Sequence, residues 1–297
     1  MKPYLWMTEF TPQKEWIDGR GILLGLAFFF SEIGAGVYMV SLFQGYWIGC
    51  LTGWVSCALL GGGLHLAYLG KPGRAWRAIR RPASSELSRG IIFMGLFLAL
   101  GAAQLILGLD RSDSLLFKVV LGILAFFVIT HGFMTLSCIH ALSFWNSGIM
   151  PILSLASGLW VGAQMTVALA MMSNSEGLLG TLEPVARWFL FSYILLGVFY
   201  FWNARHGSLA SKNSFAALWN GELAVIFYPG VVLAAVAGPL LITLYLWGTP
   251  LQMSQALLWL RILLVLVGDL ALRYCIMKAA RYMPLINSNI ISGAQLS

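Results

Sequence analysis

Charge is what this sequence has least of. Asp, Glu, Lys and Arg together make up 10% of its 297 residues, where soluble domains carry roughly a quarter. Hydrophobic residues reach 59%, which excludes a water-soluble globular protein. Cysteine is scarce as well. Cys50, Cys57, Cys138 and Cys275 all fall within apolar runs and lack the close paired spacing of metal sites. No thiolate set for an iron–sulfur cluster is present, so no metal site is expected in this chain.

What remains is long apolar runs. A helix needs about 20 apolar residues to cross the hydrocarbon core, and such runs occur at 21–43, 47–69, 91–109, 118–142, 150–172, 187–204, 222–246 and 256–278. They are continuous rather than alternating, which excludes a strand-built barrel. The fold class predicted is an all-α integral membrane protein with eight transmembrane helices forming a single transmembrane domain over 1–297. It has a polar segment at 1–20 and a basic loop at 70–90. The first run exceeds a signal-peptide core and is expected to be retained.

An even number of spans places Lys2, Lys14, Arg20, Lys71, Arg74, Arg77, Arg80, Arg81, Arg89, Arg205, Lys212, Arg273, Lys278 and Arg281 on one side. Arg111, Lys118, Arg187 and Arg261 fall on the other. The positive-inside rule then sets both termini in the cytoplasm of a cell (inner) membrane protein. Within the basic loop, Arg74, Arg77 and Arg81 suit one face of a short helix bracketed by Pro72 and Pro82, with Trp76 as an interfacial anchor. These cations set topology, contact anionic lipid, or dock an acidic partner.

Gly45, Gly49 and Gly53 recur at the spacing that lets helices approach closely in lipid. Pro229 and Pro239 are expected to bend the seventh span, and Pro151 suits the first turn of the fifth.

Ionisable side chains within the membrane are costly and normally face a protein interior or wet cavity. Glu32 lies about 18 Å along the helix from Arg20, near mid-depth, on a face with Gly25, Phe29 and Gly36. His131 lies about 20 Å past Lys118, again near mid-depth, with Thr135 and Cys138 extending its face. His65 is shallower, just after Gly61, Gly62 and Gly63 and close to the basic loop. Asp269 and Arg273, four apart, are spaced to pair. Gln104 and Gln164 are polar helix-packing candidates. A buried carboxylate and imidazoles beside glycines and aromatic rings fit a quinone, whose ring needs a flat slot and whose oxygens need polar partners and proton relays.

Four segments in order resemble the NrfD-like family, the membrane subunits of polysulfide reductase and related molybdenum enzymes. They are "EIGAGVYMVS" in the first span, "LGKPGRAWRA" followed by "SSELSRG" before the third, "FWNSGIMPILSLASGLWVGA" leading into the fifth, and "GDLALRY" in the eighth. The resemblance implies a haem-free subunit that binds menaquinone or ubiquinone. It also implies electron exchange with a docked, ferredoxin-like multi-cluster iron–sulfur subunit, itself joined to a molybdenum-cofactor catalytic subunit. In a related anchor, a quinol-serving histidine stands immediately before the Leu-Gly of the loop; here that place is Tyr68, with His65 one turn earlier. A family Tyr-Thr-Gly position reads Thr130-His131-Gly132, and Glu32 stands where many members have glycine.

The residues expected around the quinone are therefore Glu32, Gly36, His65, Tyr68, Thr130, His131 and Thr135. Lys71, Arg74, Arg77 and Arg89 are expected at the partner-facing mouth. Two other classes are weighed against this one. A haem b anchor needs two facing histidines from His65, His131 and His140, which the sequence places at unequal depths. A secondary transporter would carry inverted repeats, which the two halves do not display.

Overall fold

The computed structural model describes residues 5–108, 115–247 and 255–285; Lys2 and Arg111 of the charge count lie outside them. Among the described residues, eight helices are long and apolar enough to cross a membrane. They are Gly21–Phe43, Trp47–Tyr68, Glu86–Leu107, Leu115–Ser137, Ile149–Met172, Glu176–His206, Ala224–Leu246 and Gln255–Ala279. The all-helical, eight-span expectation holds, and the differences lie at the ends.

The third span begins five residues early because Ser85 caps it, accepting a hydrogen bond from the Ser88 N–H at 3.3 Å, with Glu86 in the first turn. The sixth begins at Glu176 and carries Pro184 within it. The fourth ends at Ser137 rather than residue 142. There the chain turns inward to bury Leu142, Phe144 and Trp145, and the Trp145 indole donates to the Ile276 carbonyl at 2.8 Å.

Two spans depart from α geometry. The seventh winds as a π-helix over Phe227–Ala237, where Pro229 offers no N–H to the ladder, and α geometry resumes at Gly238 with Pro239 in the first turn. The bend expected from these prolines takes that form. The second span has an unanticipated π segment at Ser56–Gly62. Pro151 sits in the first turn of the fifth span, as expected.

The bundle has two apolar cores. One joins the first four spans around Tyr38, Phe97 and Leu121; the other joins the first and the fourth to eighth spans around Trp145, Trp160 and Tyr200. The first and fourth spans contribute buried side chains to both, and glycines seat the fifth span on the first. Gly36 faces the backbone of Gly158, and Gly162 faces that of Gly36, so a β-carbon at Gly36 or Gly162 would strike main chain, while one at Gly158 would strike the Ile129 and Glu32 side chains. Gly49 and Gly53 likewise admit Ser41 and the Gly34–Tyr38 stretch. Gly45 does not continue that stripe, since it occupies the turn between the first two spans at φ +65°. Gly268 of "GDLALRY" lets the eighth span press on the backbone of Ala234 and Ala235.

The segments flanking the first and eighth spans meet on one side. Thr11–Pro12 pairs antiparallel with Arg281–Tyr282, and Lys278 holds Asp18 at 2.7 Å. Arg20 donates to the Ala67 carbonyl at 2.8 Å, tying this end to the end of the second span beside the basic loop.

Candidate functional site: two buried polar clusters

Glu32 is the central residue of the first span and is 2% exposed. It forms an ion pair with Arg273 and accepts a hydrogen bond from the Ser154 hydroxyl. Arg273 also binds Asp269, Nε to Oδ2 at 2.9 Å, and Asp269 accepts from Ser157. The expected Asp269–Arg273 pair is present. The Glu32 partner was not foreseen, because it depends on the packing of the first, fifth and eighth spans. Two carboxylates share one guanidinium, which also faces the Phe133 ring at 5.1 Å. Beside Glu32 the backbone of Gly158 fills the Gly36 face, and open space lies instead at Gly25, in a cavity that Arg273 also lines. Gly36 is a helix-contact residue.

The histidines form a second cluster nearer the basic loop. Phe28, one turn before Glu32, packs edge-on against both imidazoles, with ring centroids 5.4 Å from His65 and 6.0 Å from His131. The sequence placed them at unequal depths. The fourth span ends early, so His131 is six residues, or about 9 Å, from its end. Gly90, of the "SRG" start of the third span, abuts the His131 ring directly. Thr135 Oγ1 lies 3.5 Å from His131 Nδ1.

His65 Nδ1 lies 2.8 Å from the Gly61 carbonyl oxygen. A carbonyl has no proton to give, so Nδ1 is the donor and neutral His65 carries its lone pair on Nε2. That Nε2 is buried without a hydrogen-bond partner. A β-carbon at the neighbouring Gly63 would meet nothing within 4 Å, and Leu59 and Leu60 beside it face the lipid.

The other expected site residues are placed as follows. Thr130 donates to the Phe126 carbonyl of its own helix at 3.0 Å. Tyr68 is half-buried at the end of the second span. The loop helix is a 3₁₀ segment, Pro72–Arg80. At three residues per turn it aligns Arg74, Arg77 and Arg80 rather than Arg81. Arg80 stacks over Trp76 at 4.2 Å, so this tryptophan serves as a cation platform. Lys71, Arg74 and Arg77 are exposed, with no carboxylate partner among the described residues. Arg89 differs: it pairs with Glu86 and donates to the Pro82 and Ala83 carbonyls at 2.8 and 3.0 Å, clamping the loop onto the third span.

Arg261, counted in the sequence as a surface cation, is 1% exposed. It forks onto Glu183 of the sixth span and donates to Gln164 Oε1 at 2.9 Å and Thr243 Oγ1 at 3.3 Å. Gln164 thus acts as a packing residue with a charged partner. Gln104 accepts from Tyr38. Arg261 and Arg273 leave the charge count from opposite sides, so the bias toward the basic-loop side persists.

Among the described residues, cavities open on the apolar outer surface of the bundle. One, of about 360 Å³, lies between the first and eighth spans and is lined by Ile22, Gly25, Leu26, Leu270 and Arg273. Another, of about 330 Å³, lies among the last three spans. Neither is lined by Glu32, His65 or His131.

Eight apolar helices around buried ionisable groups, with a basic loop at one end, define a multi-pass membrane protein. The chain belongs to the DMSO reductase anchor subunit (DmsC) family, whose model matches residues 50–283. It is accordingly the anchor type of subunit in an oxidoreductase complex. No curated protein matches the chain.

Proposed function

We propose that this chain is the quinol-reactive membrane subunit of its complex, passing electrons from the membrane quinone pool to a docked iron–sulfur subunit, which in turn serves a molybdenum-cofactor catalytic subunit. On this reading the NrfD-like resemblance extends to function, and the basic-loop side is cytoplasmic. The observation that carries it is the unspent lone pair on His65 Nε2, held beside Phe28 and His131 at the basic end of the bundle. A buried polar atom left without a partner normally signals a missing one.

The residues present fit a quinol headgroup. His65 Nε2, an acceptor, suits a hydroxyl rather than a carbonyl, which favours the reduced form as the species bound. Phe28 offers an aromatic face, and the open flank at Gly63 faces the lipid. Menaquinol or ubiquinol at this place would supply two electrons and two protons. His65 accepts a proton at Nε2 while its Nδ1–H stays on Gly61, fixing the ring. His131, held by Gly90 and Thr135, takes or passes a second proton. Glu32, one turn deeper, is the next proton-accepting group, balanced by Arg273. Tyr68 lies at the entrance, and Lys71, Arg74 and Arg77 meet an acidic face of the partner.

The test is quinol-linked turnover of the purified complex. His65→Ala and His131→Ala should each lower it by about 10²-fold or more, leaving activity with an artificial electron donor to the iron–sulfur subunit intact. Full quinol-linked activity in both variants would end the proposal.

A further inference from the structure

The cavity among the last three spans has a composition that the redox reading does not use. It runs along the sixth span from Tyr193 to Arg205, past Gly197, Phe201 and Trp202, and is closed behind by Phe227. Twelve residues of helix cover about 18 Å, close to one leaflet of a hydrocarbon core about 30 Å thick. Its walls are almost wholly apolar, while Val198, Trp202 and Trp219 around it face the lipid, so it opens sideways into the bilayer. At Gly197 a β-carbon would meet nothing within 4 Å; the wall there is simply missing.

Charge is confined to one end. Arg205 lines the mouth, and His206 and Lys212 follow on the same side. Arg205 and Lys212 have no carboxylate partner among the described residues. The nearby acid, Glu222, is taken by Arg281 at 3.2 Å. Trp202 and His206 pack ring to ring at 4.6 Å, forming an aromatic shelf at the charged end of the trench.

We propose that this crevice is a binding site for one anionic phospholipid, its phosphate on Arg205 and one acyl chain lying along Gly197 toward Tyr193. A narrow apolar trench of leaflet length suits an acyl chain, and an unpaired guanidinium at its interfacial end suits a phosphate. A zwitterionic lipid would fill the trench equally well and bring a phosphate, but its quaternary ammonium would sit against the Arg205, His206 and Lys212 end and offset that attraction, so the net negative lipid is favoured.

Native mass spectrometry of the full-length protein released from nanodiscs tests this. With equal phosphatidylglycerol and phosphatidylcholine, one retained phosphatidylglycerol should exceed phosphatidylcholine by about fivefold. Arg205→Gln should abolish that preference while keeping a retained lipid. Gly197→Leu, which grows into open space, should expel the lipid without lowering the melting temperature of lipid-free protein. Equal retention of both lipids, unchanged retention in Gly197→Leu, or a bound quinone in place of the phospholipid would each overturn the proposal.

Discussion

Gly90 lies against the imidazole of His131 so closely that a β-carbon at position 90 would occupy the ring's own space. The start of the third span therefore fixes where the fourth-span histidine sits. Gly90→Ala should displace the ring, costing about 1–3 kcal/mol. Quinol-linked turnover of the complex should fall more steeply than its melting temperature, and an unchanged rate would dissociate His131 from the site.

Arg273 neutralises two carboxylates, and removing it leaves both buried and unpaired. Arg273→Leu should destabilise the protein by about 3–5 kcal/mol, seen as loss of monodisperse protein in detergent. Glu32→Gln, which leaves Asp269 on the guanidinium, should be milder in the same assay.

The Arg261–Glu183 pair is insulated in the other half of the bundle. Each single replacement, Arg261→Met or Glu183→Leu, should cost about 3–5 kcal/mol, and the double replacement should recover most of it because no charge is then stranded. Thermal melts of the three variants measure the coupling.

The loop cations divide into two kinds. Changing Lys71, Arg74 and Arg77 together to Gln should slow capture of the iron–sulfur subunit by about tenfold at low salt, with little change in melting. Arg89→Ala should loosen the loop itself and lower the melting temperature. Surface plasmon resonance across a salt series, beside the melts, separates them.

Local physics was legible in the sequence and long-range pairing was not. Runs of about 20 apolar residues mark spans because a helix of that length crosses the hydrocarbon core with its backbone bonds satisfied internally, and all eight helices formed. Asp269 and Arg273, one turn apart, could be paired on paper. Glu32 and Arg273 come from the first and last spans, and no spacing rule joins them. The sixth span was read eleven residues short because Glu176, Glu183 and Pro184 look like loop; Glu183 is helical because Arg261 meets it across the bundle. Counting from Lys118 puts His131 near mid-depth, but the helix stops at Ser137, where an inward turn built on Trp145 replaces the rest of the apolar run to residue 142. Once that end is corrected, the two histidines share Phe28, which no composition argument had singled out.

The central claim is that quinol binds where His65 Nε2 is left without a partner. A photoactivatable quinol analogue, irradiated with the membrane-reconstituted complex and mapped by peptide mass spectrometry, tests it most directly. Label concentrated between Gly61 and Tyr68 and around Phe28 or His131, displaced by native quinol and lost in His65→Ala, is the predicted result. Competable label confined to other spans, unaffected by His65→Ala, would contradict it.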